Sequence, residues 1–472
     1  LPKLNPVTPN PESPDEEKAQ MNDTPAETGM TRQRMLAVLT VTLATATVSF
    51  DSSIPNVALP TITRELGVAA SAAVSIVATY QIILIMTLLP FAALAQRIGQ
   101  RRTLRIGLVL FITGGILCTF ARTLPILIAL RACQALGAAA VISIGPALIR
   151  SLYPPQWLGR GLALNTVTST AAMALAPTVG GLMLSTVPWY WLFVIGVPTT
   201  LASLLLSPLI PESEPNESAF DITGAIYCMA SFGLIFGGTQ SAAHSTDPRI
   251  TALLFALGVP VSIRFVLREL RVPVPILPLD LLKQPLIALT VGSAMLVFVA
   301  ATSLLITLPF RLQGQFGFST SATGAILGSW ALTMMLCAPS AGMLSDRVSA
   351  TILGAVGLTV ATIGAVLLFL LPATATGFDI SWRIAVCAAG YAFYVSPSFR
   401  LVVNAAPQER VAAAGSLMST GRMTGQTLGA TAAAAMLALG VGQGATPAAI
   451  AALLFFVAGV LGVIRRTPET QA

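Results

Sequence analysis

The sequence predicts an all-α membrane protein, and three observations predict it. Of 472 residues, 55% are hydrophobic and only 10% are charged, against about 25% charged in a typical soluble domain. Apolar runs of more than about 18 residues recur along the whole chain, each long enough to cross about 30 Å of hydrocarbon. Lys and Arg fall mainly in alternate loops. The net charge of +7 is therefore read by its placement, and it does not point to nucleic acid.

In chain order, residues 1–33 are rich in Pro and acids and read as a disordered cytoplasmic N-terminal tail. No short apolar core with a cleavage site precedes the first long run, so no cleavable signal peptide is expected; Met21 and Met30 are both candidate starts. Apolar segments follow at 35–59, 71–95, 104–122, 125–149, 161–186, 189–210, 221–240, 250–267, 285–309, 319–344, 351–371, 381–403, 411–440 and 444–464. That is fourteen expected spans, of which 250–267 is short. With the N-terminus inside, nineteen Lys and Arg lie on the inner side, five lie outside and two lie within spans. The bias predicts both termini in the cytoplasm. The expected organisation is a six-helix bundle at 34–210, two inserted helices with a linker at 211–284, a second six-helix bundle at 285–466, and a tail at 467–472.

Asp51 closes the first span within Phe50-Asp51-Ser52-Ser53-Ile54-Pro55-Asn56. A charge at the bilayer centre costs about 2.5–3.5 kcal/mol on insertion scales, so such a residue is a functional candidate. The competing reading is an acid solvated or capping at the helix mouth. In a low-dielectric span a carboxylate can hold a proton near physiological pH, and once ionised it can attract a cation. Proton and substrate then compete for one group, which is how an antiporter couples. Arg131 is a permanent charge inside the fourth span. It either pairs with a carboxylate in one state or bonds to helix carbonyls. Pro177, Gly180 and Gly181 allow a kink and close helix approach in the fifth span. Gln81, Gln134, Asn165, Thr168, Trp330 and Asn404 are polar candidates for a central cavity, or simple interhelical hydrogen-bonding groups. Arg422 either has a role within the thirteenth span or snorkels to the inner surface. Gly425 and Gly429 fit small-residue packing.

A segment after the second span, Ala92-Ala93-Leu94-Ala95-Gln96-Arg97-Ile98-Gly99-Gln100-Arg101-Arg102, shares a small-x-Leu-small-polar-Arg pattern with Gly342-Met343-Leu344-Ser345-Asp346-Arg347 after the tenth. Such internal repeats flank the midplane site of many secondary transporters.

Together these segments resemble the fourteen-span drug:proton antiporters of the major facilitator superfamily. Asp51, Asn56, Ala58, Leu59 and Pro60 match that family's first-span motif. Arg131, Gln134 and Gly137 match its fourth-span motif, with Ala135 replacing a glycine. Pro177, Gly180 and Gly181 match its fifth-span antiporter motif, with Ala176 replacing the first glycine. Trp189, Trp191, Phe193 and Pro198 follow its sixth-span pattern, with Tyr190 and Gly196 replacing Arg and Asn. Asp221 to Gly224 resemble the start of its extra span, and Arg422, Gly425 and Gly429 resemble its motif in span thirteen.

The resemblance implies a major facilitator fold, two six-helix bundles plus two extra transmembrane helices, rocking about a midplane cavity. It implies proton-coupled export of amphipathic, cationic compounds across the inner membrane, multidrug in character, by a monomer. It implies gating loops at Gln96, Arg97, Gly99 and Arg101 and at Gly342, Asp346 and Arg347. Gln96 stands where the family carries an Asp. An amide brings no charge to the helix end, so either the outward-open state is weaker, another contact substitutes, or the change is tolerated.

Other chemistry is set aside. The three lysines follow Pro2, Glu17 and Leu282, so no P-loop exists and no nucleotide is expected. The five cysteines lie in apolar segments without a paired motif. His244 lies in a polar loop, and no metal or cofactor is expected. No enzyme motif is present. The alternative function is a dedicated proton-coupled exporter of one endogenous metabolite.

Overall fold

Long apolar runs with few charges become helices because in hydrocarbon every backbone polar group must be satisfied within the segment. A computed structural model describes residues 32–153, 158–212, 221–243, 247–272, 275–345, 347–407 and 410–464, and no strand occurs among them. Asp346, His244, the tail at 467–472 and residues 1–31 of the expected N-terminal tail lie outside the described residues. Arg32 and Gln33 open the first helix rather than ending a tail.

α1 (Arg32–Ser53) runs into α2 (Pro55–Leu66) through Ile54, whose φ of −60° and ψ of −34° remain helical. Pro55 has no N–H, so the carbonyl four residues back, that of Asp51, has no donor within the helix. Gly67, at φ 62°, ends α2 in the left-handed conformation that glycine tolerates. α3 (Ala70–Ile98) and α4 (Gln100–Cys118) are separated only by Gly99, at φ 95°, which makes the sharp turn between them. α5 (Leu124–Leu152), α6 (Leu158–Leu184), a 3-10 turn at Trp189–Phe193 and α7 (Val197–Leu206) complete the first set. α8 (Ile222–Ala243) and α9 (Pro248–Glu269) follow. The second set is α10 (Pro285–Gly314), α11 (Thr320–Leu344), α12 (Ala350–Phe369), α13 (Gly377–Ala405), α14 (Val411–Ala438) and α15 (Thr446–Ile464).

Among the described residues, twelve helices are long and apolar enough to cross a membrane, not the expected fourteen. The segments expected at 104–122 and 411–440 are helical but fall short. α4 carries Arg101, Arg102 and Arg105, and α14 is diluted by Arg422, Gln426 and many Gly, Ser and Thr.

The two sets repeat one packing scheme. In the first, α4 packs on α5, α1 on α6, α3 on α5 and α4 on α7; in the second, α12 packs on α13, α10 on α14, α11 on α13 and α12 on α15. The sets meet where α6 faces α11 and α3 faces α14. α8 lies against both α3 and α14, with Gln240 Nε2 3.5 Å from Ser75 Oγ and Thr431 Oγ1 3.3 Å from Gln240 Oε1. Asp221 joins α8 to α9. It accepts two bonds of 2.7 Å from Arg268 and one of 2.9 Å from Gly224 N.

At the end opposite Gly99 the two sets form a tight seam. A Cβ on Gly181 would sit 2.6 Å from Thr320 O, and one on Gly324 would sit 2.5 Å from Pro177 O. Gln313 Nε2 reaches Val57 O at 3.4 Å, and Ile54, Leu59 and Ile62 share an apolar cluster with Ile306, Phe310 and Ala433.

A second fastening lies outside the spans, where Arg410, before α14, bonds both carboxylate oxygens of Asp280, one at 3.1 Å. Arg410 holds the Asp280 carboxyl below its ordinary range. A lowered carboxyl contributes stability above its unfolded pKa, about 3.9, and loses it as pH falls through the native value. The melting advantage of wild type over Asp280→Asn is therefore expected to hold at neutral pH, to shrink as pH falls below about 3.9, and to be gone once pH is below the native value; an advantage that does not shrink on acidification contradicts the pairing.

Candidate functional site

Two polar features sit on the same stretch of α1 and α2. The first is a buried charge cluster. Asp51 and Arg131 have side chains only 4% and 1% exposed. Arg131 Nη1 donates to Asp51 Oδ2 at 2.8 Å and to Gln134 Oε1 at 2.6 Å. Gln134 Nε2 donates to Asp51 Oδ1 at 3.1 Å. Arg131 Nη2 lies 3.5 Å from the Asp51 carbonyl, the one that Pro55 leaves without a helical donor. The spacing of Arg131 and Gln134, one turn apart on α5, puts both on the face toward α1. The guanidinium lies 4.4 Å from the Tyr80 ring centre and 5.0 Å from that of Phe193, so aromatic faces wall the charge where water does not reach.

The second feature is a cavity of about 970 Å³ of atom-free space between the two helix sets. Ser53, Asn56, Met173 and Pro177 line it from the first set; Trp330, Tyr391, Arg422 and Gln426 are among those lining it from the second. Ser53 and Asn56 are three residues apart and share one helix face, whereas Asp51 is about 200° round the helix from Ser53. The carboxylate therefore turns away from the cavity, toward α5.

The other candidates distribute as follows. Gln134 belongs to the charge cluster rather than the cavity. Gln81 is buried on α3, next to Tyr80, and does not line the cavity. Asn165 accepts a 2.6 Å bond from Thr45 and so ties α6 to α1, while Thr168 bonds back to Leu164 O. Asn404 is exposed near the end of α13 and lines nothing. Trp330 does line the cavity. Arg422 sits mid-helix in α14 and lines the cavity. Gly425 and Gly429 explain how. A Cβ on them would lie 2.6 Å from Met295 O and 2.8 Å from Thr302 Cβ, so α14 is pressed against α10 with its rotation fixed. Gly180 packs on Ile54 and Val57, and Gly181 on Gly324. Gly324 and Gly328 were absent from the sequence candidates, although their four-residue spacing is the small-residue signal that marks close helix contact.

At the expected gating loops, Gln96, Arg97 and Arg347 are exposed. Arg101 reaches Ile210 O at 3.4 Å. Gly342 is half-buried, with space beyond it as far as Ser396.

Removing one member of a buried ion pair leaves an uncompensated charge, at a cost of about 3–5 kcal/mol. Arg131→Gln is expected to lower the melting temperature in detergent more than the double variant Asp51→Asn with Arg131→Gln. Purely additive losses contradict the coupling.

Comparison with known proteins fits this architecture. The chain is 35% identical to the uncharacterized transporter YebQ of Escherichia coli, over 93% of this chain and 97% of that one. It is 27% identical to the multidrug resistance protein Stp of Mycobacterium tuberculosis, over 85% and 75%. A crystal structure of a D-xylose-proton symporter superposes with a TM-score of 0.67 at 15% identity, over 91% of this chain and 97% of that one, which concerns the fold alone. The sequence profile of the Major Facilitator Superfamily matches residues 41–430. Long paired helices around a central cavity, a full-length relative and that profile agree: the chain belongs to the Major Facilitator Superfamily, and it is a multi-pass membrane transporter rather than an enzyme.

Proposed function

We propose that the protein is a proton-coupled exporter of amphipathic compounds in the bacterial inner membrane, working by alternating access as a fourteen-span monomer with both termini cytoplasmic. The observation that carries this reading is the buried Asp51–Arg131–Gln134 cluster, on the same helix that lines the cavity and runs into its seal. In this reading α4 and α14 also cross the bilayer, shielded by their neighbours, and residues 34–210 and 285–466 are the two rocking units. Residues 211–284 are an insert fastened to one side.

Ionised Asp51 pairs with Arg131 and holds α1 against α5. A proton on Asp51 removes the charge that balances Arg131, and the α1–α5 contact must rearrange. Three residues beyond Asp51, Ile54 packs under Gly180, and Val57, past the Pro55 break, meets Gln313. Movement at the cluster therefore reaches the seam through less than two helical turns. The seam closes the end opposite Gly99, so on the positive-inside orientation the cavity faces the cytoplasm. Each proton that then moves inward gains about 2.3 kcal/mol per 100 mV of membrane potential. The Mycobacterium relative is named for multidrug resistance, which is in keeping with export. The cationic preference expected from the sequence needs Asp51 to face the substrate, and the geometry gives that idea no support.

The test is transport in proteoliposomes with an imposed pH gradient, using a panel of fluorescent amphipaths of both charge signs. Wild type is expected to move at least one compound uphill. Folded Asp51→Asn should lose uphill movement and keep gradient-free exchange. Uphill movement by Asp51→Asn with unchanged pH dependence would overturn the coupling role.

A further inference from the structure

Charge is distributed unevenly around the central cavity. Among the described residues no Asp or Glu lines it, and Arg422 is the only charged lining residue. Arg422 makes no hydrogen bond or ion pair with any described residue, and its side chain is accessible although it sits at mid-helix. A guanidinium does not give up its proton, so the cavity carries a permanent uncompensated positive charge. The one carboxylate on the adjoining helix, Asp51, faces away and is occupied by Arg131 and Gln134. Neighbouring lining groups add donors: the Trp330 indole, the Tyr391 hydroxyl and the Gln426 amide.

The rest of the wall is apolar and aromatic. Tyr391 lies 5.4 Å from Trp330 and 5.8 Å from Phe298, ring centre to ring centre, the latter edge to face. Met173 and Met334 supply adaptable apolar surface nearby.

We infer that this cavity binds amphipathic organic anions, with a carboxylate or sulfonate seated on Arg422 and a flat apolar body held by Trp330, Tyr391 and Phe298. A guanidinium takes two oxygens of such a group at once, and the interaction gains strength away from bulk water. A lipophilic cation in the same place meets a like charge with no acid to offset it, and this selects against it. Anion release to the outside also runs with an inside-negative membrane potential. The inference deepens the transport reading, on which it rests for treating the cavity as the substrate site.

The experiment is isothermal titration calorimetry of the purified full chain in detergent at about 0.15 M chloride, so that a small inorganic anion cannot account for selective binding. The probes are a matched pair, 1-naphthylacetate and (1-naphthylmethyl)trimethylammonium. Wild type is expected to bind the carboxylate and to bind the ammonium at least about 10-fold more weakly. Arg422→Gln should erase that difference, and Arg422→Lys should keep part of it, since ammonium offers a point charge without the planar fork. Equal or tighter binding of the ammonium by wild type overturns the inference, as does failure of wild type to bind the carboxylate. The wild-type comparison decides this even if Arg422→Gln fails to fold. No pH gradient enters the measurement, so a cation preference would sink the anion site and leave proton coupling standing. Loss of coupling in vesicles would leave the anion preference intact.

Discussion

A carboxylate and a guanidinium buried together inside a membrane protein set the terms for everything around them. Each alone would be costly to insert. Together, with Gln134 bridging the second carboxylate oxygen and Tyr80 and Phe193 closing over the cation, Asp51 and Arg131 have their main polar needs met without water. In the proposed cycle the arrangement holds only while both charges are present, which would make it a two-state contact rather than a permanent brace. A protein that moves protons needs a group of this kind, one whose packing depends on whether a proton is bound.

Proline and glycine determine what that contact can move. Pro55 frees the Asp51 carbonyl for Arg131 and breaks the ladder between α1 and α2 at the point where the cluster ends and the seal begins. Gly180, Gly181 and Gly324 let α2, α6 and α11 approach so closely that side chains there would have to shift. A seam built on backbone contact is short-range: it is tight when closed and loses most of its attraction after a small separation. Gly425 and Gly429 do the opposite job on α14, fixing its rotation and holding Arg422 toward the cavity.

Much of this was legible in the sequence. Helix positions followed from apolar length, and Asp51, Arg131, Pro177, Gly180 and Gly181 stood out because polar, charged or helix-breaking residues are conspicuous in apolar runs. Other features were hidden for identifiable reasons. Pairing across 80 residues depends on which faces of α1 and α5 meet, so the direct Asp51–Arg131 contact remained one of two options and the place of Gln134 in it was not seen. The direction of Asp51, away from the cavity, depends on the same rotation. Sequence alone places Arg422 between a role within its span and the inner surface, and Asn404 between a cavity residue and a hydrogen-bonding group, because the rotation of a helix is not written in its composition. The same composition leaves α4 and α14 outside the twelve described helices that are long and apolar enough to cross a membrane, since both carry several polar or charged residues. The pseudo-symmetric packing of the two helix sets was foreshadowed by the short likeness between residues 92–102 and 342–347 and by the resemblance that implied two six-helix bundles.

The central claim is that Asp51 is ionised while it holds Arg131 and neutral when the seam opens. Infrared difference spectroscopy on protein with ¹³C-labelled aspartate reads this directly, because a protonated carboxyl has its own C=O stretch. Spectra would be compared with the seam at the Gly181–Gly324 end cross-linked shut and with it open. The account predicts no protonated-aspartate band with the seam shut at neutral pH, and a band on opening that disappears in Asp51→Asn. A protonated Asp51 in the shut state, or one ionised in both, would contradict it.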